Sequence, residues 1–504
     1  MADKRIILSG NEAIARGAFE AGVTVGAGYP GTPSTEILEN LTNYPGVYTE
    51  WSVNEKTALE VGIGASLAGA RTLVTMKHVG LNVAADPLFT ASYIGVKGGL
   101  VIAVADDPDM HSSQNEQDSR HYARAAKLPM LEPSDSDEAR LFTRLGLELS
   151  ERFDTPVLLR STTRISHSRT VVVPAPDPVP PGPAEGFTRN LKKYVMIPAY
   201  ARGRHRIVET RMAELATHAD KIEINRLEMN DPAVGIITSG VAYTYVREAL
   251  PHASVLKLGL VWPLPLKLIA DFAARVKTLY VVEELDPFFE TEIKAAGIAV
   301  IGKALLPVTG EYSPTLIRRA FTAAGLPQAD AAAPHGAPLS SSLPLPPRPP
   351  ALCPGCPHRT VFKILGKLGV TVSGDIGCYT LGVLPPFQAM DTCVEMGGSI
   401  GLAQGIEIAS KEKSRGRIVA VIGDSTFAHS GITGLVNAAY NKRKGLFIVL
   451  DNNTTAMTGM QPNPLSGERI NLEETVAVDY VKLGQAVGMD AEDVVVTDAY
   501  KPQD

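Results

Sequence analysis

Two short polar segments near the C-terminus have the residue types of a magnesium and phosphate site. Gly423-Asp424-Ser425 follows an apolar run, and after 26 intervening residues Asn452-Asn453 follows another. Ligands of open α/β sheets bind at the carboxyl ends of strands, so the two segments are expected to meet at one sheet edge. A carboxylate and amide oxygens suit Mg²⁺ together with phosphate oxygens, and Gly423 allows close backbone approach. An ordinary strand-to-helix turn and a polar turn are the alternative interpretation.

The four cysteines form a second candidate site. Cys353, Cys356, Cys378 and Cys393 all lie within 41 positions of the 504-residue chain. So few cysteines exclude a disulfide-stabilised scaffold. Cys353-Pro-Gly-Cys356 has the spacing at which two thiolates converge on zinc or on an iron-sulfur cluster. A pair of buried thiols without metal would have the same pattern.

A third candidate is the turn Gly28-Tyr-Pro-Gly-Thr-Pro-Ser34, which follows an expected strand at 24–28 and opens a helix. Its glycines, prolines and hydroxyl groups predict a rigid turn with donors pointing outward, which suits an anion. Lys77 and His78, at the end of the expected strand 72–76, are predicted to line the same cleft. His78 is a candidate proton-transfer group.

Alternating strands and helices must position these segments. Buried strands are predicted for the apolar runs 72–76, 99–107, 234–240, 254–260, 278–284, 416–424 and 445–453. Helices are predicted between them, as at 55–70, 242–250 and 431–440. Two proline-rich stretches, at 173–186 and 327–351, predict connections. The sequence therefore predicts an α/β fold of tandem doubly wound parallel-sheet domains, divided into blocks 1–172, 187–326 and 352–504.

Composition excludes several classes of function. The net charge is only −6, from 48 Lys and Arg against 54 Asp and Glu, and there is no basic run of the kind that marks a nucleic-acid binder. No segment approaches the roughly 18 unbroken apolar residues of a membrane helix. We therefore expect a soluble, cytoplasmic protein.

Several segments carry a family resemblance. The motif GDS, 26 residues and NN resembles the signature that binds thiamine diphosphate through Mg²⁺, and 455–460 (TAMTGM) resembles the loop that follows it in 2-oxoacid:ferredoxin oxidoreductases. Four further segments, GNEAIARGA, MKHVGLNVAADP, HSSQNEQDSR and ALCPGCPHR, resemble the α subunit of indolepyruvate ferredoxin oxidoreductases. The resemblance covers essentially the whole chain. It implies a pyrimidine-binding thiamine domain, an intervening transketolase C-terminal-like domain, and a diphosphate and Mg²⁺-binding domain.

The resemblance implies roles for residues of the third block. Asp424, Asn452 and a backbone carbonyl near Thr454 would ligate Mg²⁺. Cofactor contacts would come from Gly377, Gly423, Ser425 and Asn453. Cys353, Cys356 and Cys378 would bind a [4Fe-4S] cluster. The fourth ligand is either Cys393 or a cysteine beyond Asp504, since family members usually continue into a C-terminal ferredoxin-like module.

The resemblance also implies roles in the first block. Thiamine chemistry needs a carboxylic acid beside the aminopyrimidine ring, and Glu55 is our candidate. A helix-start glutamate favoured by the helix dipole is the alternative. Thr32 would hold the substrate carboxylate. Arg124 would be its matching cation, although a solvated helix arginine is an equally good interpretation.

The implied activity is the ferredoxin-dependent oxidative decarboxylation of aryl 2-oxoacids to aryl-acyl-CoA and CO₂. The implied partners are a smaller β subunit, ferredoxin and coenzyme A, in a dimer of heterodimers. Two alternatives stay open. A non-redox thiamine diphosphate-dependent decarboxylase or carboligase would have no use for the cysteines, and a non-catalytic α/β protein with a zinc knob would need no thiamine.

Overall fold

Buried parallel strands dominate the architecture. A computed structural model describes residues 5–175, 186–326, 346, 348–410 and 416–501. The chain divides into two compact units, 1–335 and 336–504. The prediction that 327–351 is a connection lies largely outside the described residues, as does most of the proline-rich stretch 173–186.

The first unit contains thirteen strands in its described residues. These are β1 (Ile6–Ser9), β2 (Val25–Gly28), β3 (Tyr48–Trp51), β4 (Thr72–Lys77), β5 (Leu100–Asp106), β6 (Met130–Leu131), β7 (Val157–Thr162), β8 (Arg169–Val172), β9 (Arg226–Glu228), β10 (Asp231–Ser239), β11 (Ala253–Leu258), β12 (Leu260–Trp262) and β13 (Thr278–Val282).

Fourteen α-helices lie between or after these strands in the described part of the unit. They are α1 (Gly10–Glu20), α2 (Thr35–Leu41), α3 (Glu55–Leu67), α4 (His78–Val83), α5 (Ala85–Ile94), α6 (Arg120–Ala126), α7 (Ser136–Phe153), α8 (Thr163–His167), α9 (Leu191–Tyr194), α10 (Pro198–Ala219), α11 (Gly240–Ala249), α12 (Leu266–Ala273), α13 (Phe288–Ala295) and α14 (Pro314–Ala323).

A seven-stranded sheet has the order β12-β6-β7-β5-β4-β2-β3, in which only β12 is antiparallel to its neighbour. Every residue of β4, β5 and β7 is buried, as expected for central strands covered on both faces. A smaller sheet has the order β13-β10-β11-β9, and β1 pairs with β8. The predicted α/β fold with parallel sheets is confirmed.

The first two predicted blocks lie together in this unit. One hydrophobic cluster contains side chains from both sheets, such as Val104 of β5 and Leu256 of β11. The prediction of a single strand over 254–260 is wrong in its length. The run breaks at Gly259, because the backbone N–H groups of Gly259 and Leu260 both donate to Asn225 Oδ1, at 2.9 and 3.0 Å. Beyond the break, β12 joins the seven-stranded sheet of the first block.

The second unit has one parallel sheet with the order β15-β14-β16-β17. Its strands are β14 (Thr371–Gly374), β15 (Thr392–Cys393), β16 (Ile418–Gly423) and β17 (Leu446–Leu450). Its α-helices are α15 (His358–Leu368), α16 (Ser399–Ser410), α17 (Asp424–Thr426), α18 (Ile432–Tyr440) and α19 (Tyr480–Ala486). Residues of β16 alternate between two hydrophobic clusters, so the sheet is covered on both faces.

None of the helices within the described ranges is long and apolar enough to cross a membrane.

Candidate active site

Asp424 lies where β16 ends and α17 begins, at the carboxyl edge of the sheet in the second unit. Its side chain is buried. Oδ2 accepts hydrogen bonds from the backbone N–H of Thr454, at 3.0 Å, and from Nδ2 of Asn463, at 3.2 Å. Since β17 runs parallel to β16 with Gly423 beside Leu450, the segment after β17 reaches Asp424 directly. The two strand ends meet as the sequence predicts.

The side-chain amide of Asn452 completes this cluster. One of its terminal atoms lies 2.9 Å from the carbonyl oxygen of Thr454 and 3.2 Å from Oδ1 of Asp424. When this atom is nitrogen, it donates to both oxygens. When the amide is turned over, three oxygens of different chemical types face one another. Mg²⁺ prefers such a set, so these residues fit a divalent cation.

Burial controls the protonation of this carboxyl group. It raises the pKa of Asp424 to about 6, and the nearby carboxylate of Asp451 acts in the same direction. A cation at the oxygen cluster would favour the charged form and oppose both effects.

The loop after β17 is shaped by hydrogen bonds. Asn453 has a positive φ of 59°, a conformation that asparagine tolerates, and its N–H donates to Asp451 Oδ1 at 2.8 Å. Thr455 donates from Oγ1 to Oγ of Ser425 at 2.8 Å, which ties the loop to α17. A π-helical turn, Phe427–Gly431, interrupts the helix between α17 and α18, as π turns often do at functional sites.

Sequence reasoning missed a buried pair beside this cluster. The phenol of Tyr379 donates to the carboxylate of Asp375, which follows β14 at the same sheet edge. Burial raises the pKa of Asp375 to about 6. A Cβ added at Gly377 or Gly423 would collide with the Tyr379 ring, so both glycines leave room for it. The signal available in the sequence was an aspartate after a buried strand, the same signal that identified Asp424.

Asn463 was also missed, because it lies in a loop with no periodic pattern.

The thiol of Cys378 lies near the thiols of Cys356 and Cys353. Burial, followed by the neighbouring thiols of Cys356 and Cys353, raises the pKa of Cys378. Cys353 and Cys356 are joined by a turn in which the N–H of Cys356 donates to the Cys353 carbonyl at 3.1 Å. For Cys393, burial and the carboxylate of Asp375 raise the pKa instead, and its thiol lies 3.6 Å from the Asp375 carbonyl oxygen.

Glu55 occupies the first position of α3 in the first unit. Asn54 caps this helix, since its Oδ1 accepts from the N–H of Thr57 at 2.9 Å. The Glu55 side chain is buried, and its carboxylate lies against Gly80 of α4. The sequence predicted a glutamate at the start of a helix here. Its burial could be seen only in the tertiary structure.

The turn with Thr32 follows β2 at the carboxyl edge of the seven-stranded sheet. Within the turn, the backbone N–H of Gly31 donates to Thr35 Oγ1 at 3.0 Å, and Ser34 Oγ donates to the Gly31 carbonyl at 2.8 Å. The Thr32 carbonyl accepts from Oγ of Ser112 at 3.2 Å. This links the turn to the segment that follows β5.

Lys77 and His78 lie at the end of β4, beside that turn. The ammonium group of Lys77 donates to the Ser112 carbonyl at 2.6 Å. Nε2 of His78 lies 3.3 Å from the carbonyl oxygen of Asn115, and burial lowers the pKa of His78. The predicted proximity of Lys77 to the turn is therefore seen in the structure.

Arg124 makes its contacts elsewhere. Its guanidinium pairs with Glu292 of α13 and lies over the ring of Phe288. Among the described residues, Arg124 makes no hydrogen bond, ion pair or ring contact with the turn around Thr32. Its role as a carboxylate ligand stays a prediction.

Two family models match the chain. One, described as pyruvate flavodoxin/ferredoxin oxidoreductase, thiamine diphosphate-binding, matches residues 16–220. The other, described as thiamine pyrophosphate enzyme, C-terminal TPP binding domain, matches residues 375–503 and so includes Asp424 and Asn452.

Curated relatives are similar over nearly the full chain. The chain is 42% identical to indolepyruvate oxidoreductase subunit IorA of Archaeoglobus fulgidus, over 98% of this chain and 82% of the relative. It is 45% identical to the IorA subunit of Methanothermobacter thermautotrophicus, over 91% of this chain and 77% of the relative.

A solved structure of 2-oxoglutarate:ferredoxin oxidoreductase from Magnetococcus marinus, with 2-oxoglutarate, coenzyme A and succinyl-CoA bound, has a TM-score of 0.55. The match has 20% sequence identity and covers 63% of this chain and 65% of that one. At this identity, the likeness shows a common fold.

Proposed function

The chain belongs to the family of the indolepyruvate oxidoreductase IorA subunits, and from this premise we propose that its substrates are aryl 2-oxoacids and its products aryl-acyl-CoA and CO₂. Membership of this family gives the general activity. The protein is an oxidoreductase that acts on 2-oxoacids by oxidative decarboxylation, and it has thiamine diphosphate-binding domains. Its relatives are named as subunits, so a partner subunit belongs to the enzyme.

The overall reaction balances with ferredoxin and coenzyme A. The C1–C2 bond of the 2-oxoacid breaks and releases CO₂. The acyl carbon forms a bond to the sulfur of coenzyme A, one proton is released, and two ferredoxins each accept one electron. Bound thiamine diphosphate supplies the electron sink that makes loss of CO₂ possible.

The observation that supports cofactor binding most directly is the oxygen cluster of Asp424, Asn452 and Thr454. A side-chain carboxylate, an amide and a backbone carbonyl would hold Mg²⁺, and Mg²⁺ would hold the diphosphate. Gly423, Ser425, Asn453 and Gly377 lie around this cluster or its sheet edge and would contact the cofactor. Asn463, which donates to Asp424, would orient the metal-binding carboxylate.

Glu55 would hold the proton that activates the aminopyrimidine. A buried carboxyl group suits this task, because water competes little for its hydrogen bond. Thr32, at the end of β2, would bind the substrate carboxylate, with Arg124 as the predicted cation. Buried His78 would exchange a proton with the substrate.

The cysteines support a redox function over a zinc knob. The thiol of Cys378 lies near those of Cys356 and Cys353. Reduction of ferredoxin requires single-electron steps, which a [4Fe-4S] cluster allows and which zinc, having no redox chemistry, does not. The fourth ligand would be Cys393 or a residue outside this sequence.

The proposed assembly contains a smaller β subunit in a dimer of heterodimers, with ferredoxin as the electron acceptor.

The test is anaerobic purification of the protein with its partner subunit, followed by analysis of iron, sulfide, zinc, magnesium and thiamine diphosphate. Reduction of ferredoxin would then be measured with indolepyruvate or phenylpyruvate plus coenzyme A, and with pyruvate and 2-oxoglutarate as controls. We expect iron, sulfide and thiamine, and higher kcat/KM for the aryl substrates. Thiamine without iron, and decarboxylation without ferredoxin reduction, would favour the non-redox alternative. Stoichiometric zinc without thiamine would favour the zinc knob.

A further inference from the structure

Lys77 is a buried lysine at the carboxyl end of a central strand. It ends β4, which lies between β2 and β5 in the seven-stranded sheet. The residue is only 7% exposed. Its side chain packs on the turn with Thr32, since a Cβ added at Gly31 would lie 3.0 Å from Lys77 Cβ. In open α/β sheets this edge is where ligands bind.

The ammonium group of Lys77 has no acidic partner at contact distance. Among the described residues, no carboxylate oxygen lies within 4.0 Å of its Nζ, which instead donates to the Ser112 carbonyl at 2.6 Å. The carboxylate of Asp107 attracts the ammonium group electrostatically, and this attraction opposes the lowering of the Lys77 pKa by burial. Asp107 already accepts from Ser112 N at 2.8 Å, from Ser113 Oγ at 2.5 Å and from Thr163 Oγ1 at 2.6 Å. Its oxygens are therefore committed to the loop and to α8.

A second buried lysine shows what a structural role requires. Lys257 of β11 is fully buried, and its ammonium group pairs with Glu138. A buried ammonium without such a partner is costly, because its charge loses hydration without gaining an ion pair. Burial accordingly lowers the pKa of Lys77 to about 8. Lys77 is thus a buried cation that no described carboxylate contacts directly, located beside the predicted substrate turn.

We propose that the ammonium group of Lys77 binds the carboxylate of the 2-oxoacid substrate, beside Thr32. This inference rests on the proposed function and adds to it the residue that positions the substrate. Arg124 is less suited, because its guanidinium is already paired with Glu292. The incoming carboxylate would complete the ion pair that the fold leaves open.

The test compares Lys77→Met with Lys294→Met in the holoenzyme with its partner subunit. Lys294 is the matched control, an exposed lysine that pairs with Glu290 one helical turn away. For phenylpyruvate, we expect kcat/KM to fall roughly 100-fold in K77M and to stay unchanged in K294M. Inhibition by the uncharged amide of phenylpyruvate should be the same in all three proteins, because the amide has no charge to pair.

The pH profile separates a charge from a packing role. The wild-type kcat/KM should fall above pH 8, as free Lys77 loses its proton, and this decline should be absent in K77M.

Retention of kcat/KM in K77M within threefold would overturn the inference, and so would equal weakening of the acid and the amide. The inference would also be overturned if Arg124→Met lost its selectivity for phenylpyruvate over the amide while K77M kept it. In that case Arg124 would be the cation that binds the carboxylate. In these cases the wild type is active, so the proposed function stands. A wild type inactive on every aryl 2-oxoacid, yet active on another 2-oxoacid, would overturn the aryl specificity instead.

Discussion

The carboxylate of Glu55 lies against the backbone of Gly80, so that a methyl group added at Gly80 would stand 2.5 Å from Glu55 Oε1. Glu55 is the first residue of α3, which follows β3, and Gly80 belongs to α4, which follows β4. Gly80 therefore determines where the carboxyl group of Glu55 can lie.

Gly80→Ala should displace this carboxyl group without disrupting the fold. The added methyl group would clash with Cγ and Oε1 of Glu55, each at 2.5 Å, and not with backbone, so the side chain has to rotate away. Alanine also favours helix by about 1 kcal/mol over glycine. We expect thiamine diphosphate to bind normally and the exchange of its C2 proton, followed by NMR, to slow. Gly64→Ala in α3 is the control, because a Cβ there meets no atom within 4 Å. Equal exchange rates in all three proteins would show that the position of the carboxyl group is not critical.

Glu55→Gln tests the acid directly. The substitution keeps the shape of the side chain and removes its ability to hold the activating proton. C2 proton exchange should slow by roughly two or more orders of magnitude, while calorimetry shows unchanged cofactor affinity. Glu60→Gln, on the exposed face of the same helix, should exchange as the wild type does. If E55Q exchanged at the wild-type rate, another residue would be the activating acid.

Asp424→Ala removes the carboxylate of the proposed magnesium cluster. Affinity for thiamine diphosphate in the presence of Mg²⁺, measured by calorimetry, should fall at least roughly 100-fold, because buried metal-ligand contacts are lost. The circular dichroism spectrum should be retained. Asp493→Ala, in an exposed turn of the same unit, should bind as the wild type does. Unchanged affinity in D424A would reject the assignment of the metal site.

The cysteine variants distinguish two ligand sets. Cys378→Ser should lower iron and sulfide content and abolish the visible absorption of the cluster, since Cys378 lies among the thiols of Cys353 and Cys356. Cys393 is influenced by Asp375 rather than by those thiols, so we expect Cys393→Ser to keep the cluster. Loss of iron in C393S, in protein of the full natural length, would identify Cys393 as the fourth ligand.

Glu284 should make stability depend on pH. Burial, opposed by the N–H of Tyr312 and reinforced by the carboxylate of Glu311, raises the pKa of Glu284 to about 7 from its ordinary 4.5. The folded state thus binds the proton more tightly than the unfolded state. The resulting stabilisation is complete below pH 4.5 and is lost as pH rises through 7.

Glu284→Gln removes this titration and keeps an oxygen for the Tyr312 N–H. Between pH 5 and 8 the variant should gain up to about 3 kcal/mol relative to the wild type, visible as a rising difference in melting temperature. Glu214→Gln, on an exposed position of α10, should show no such trend. A constant difference between E284Q and the wild type across this range would contradict the prediction.

Local patterns were enough to predict several central strands, their parallel arrangement and the residues at their ends. Short runs such as 72–77 and 419–423, which are buried in the structure, are too short for typical helices and suit buried strands, and parallel strands bring their carboxyl ends to one edge. The segments GDS and NN, with 26 residues between them, could therefore be paired from sequence alone. The position of Glu55 at the start of a helix is also a local feature, but its role as the activating acid was implied by the family resemblance.

Tertiary structure decided how charges are paired and which side chains are buried. Arg124 and Glu292 are 168 positions apart, and no periodicity predicts that they pair. The same holds for Asn463 at Asp424, for Tyr379 between two glycines, and for β12 joining the sheet of another block. The cost or benefit of a charge depends on the surroundings that distant segments create. The sequence indicated a lysine near the substrate turn. Only the packing around Lys77 showed that its ammonium group is buried and that no carboxylate in the described part of the chain contacts it directly.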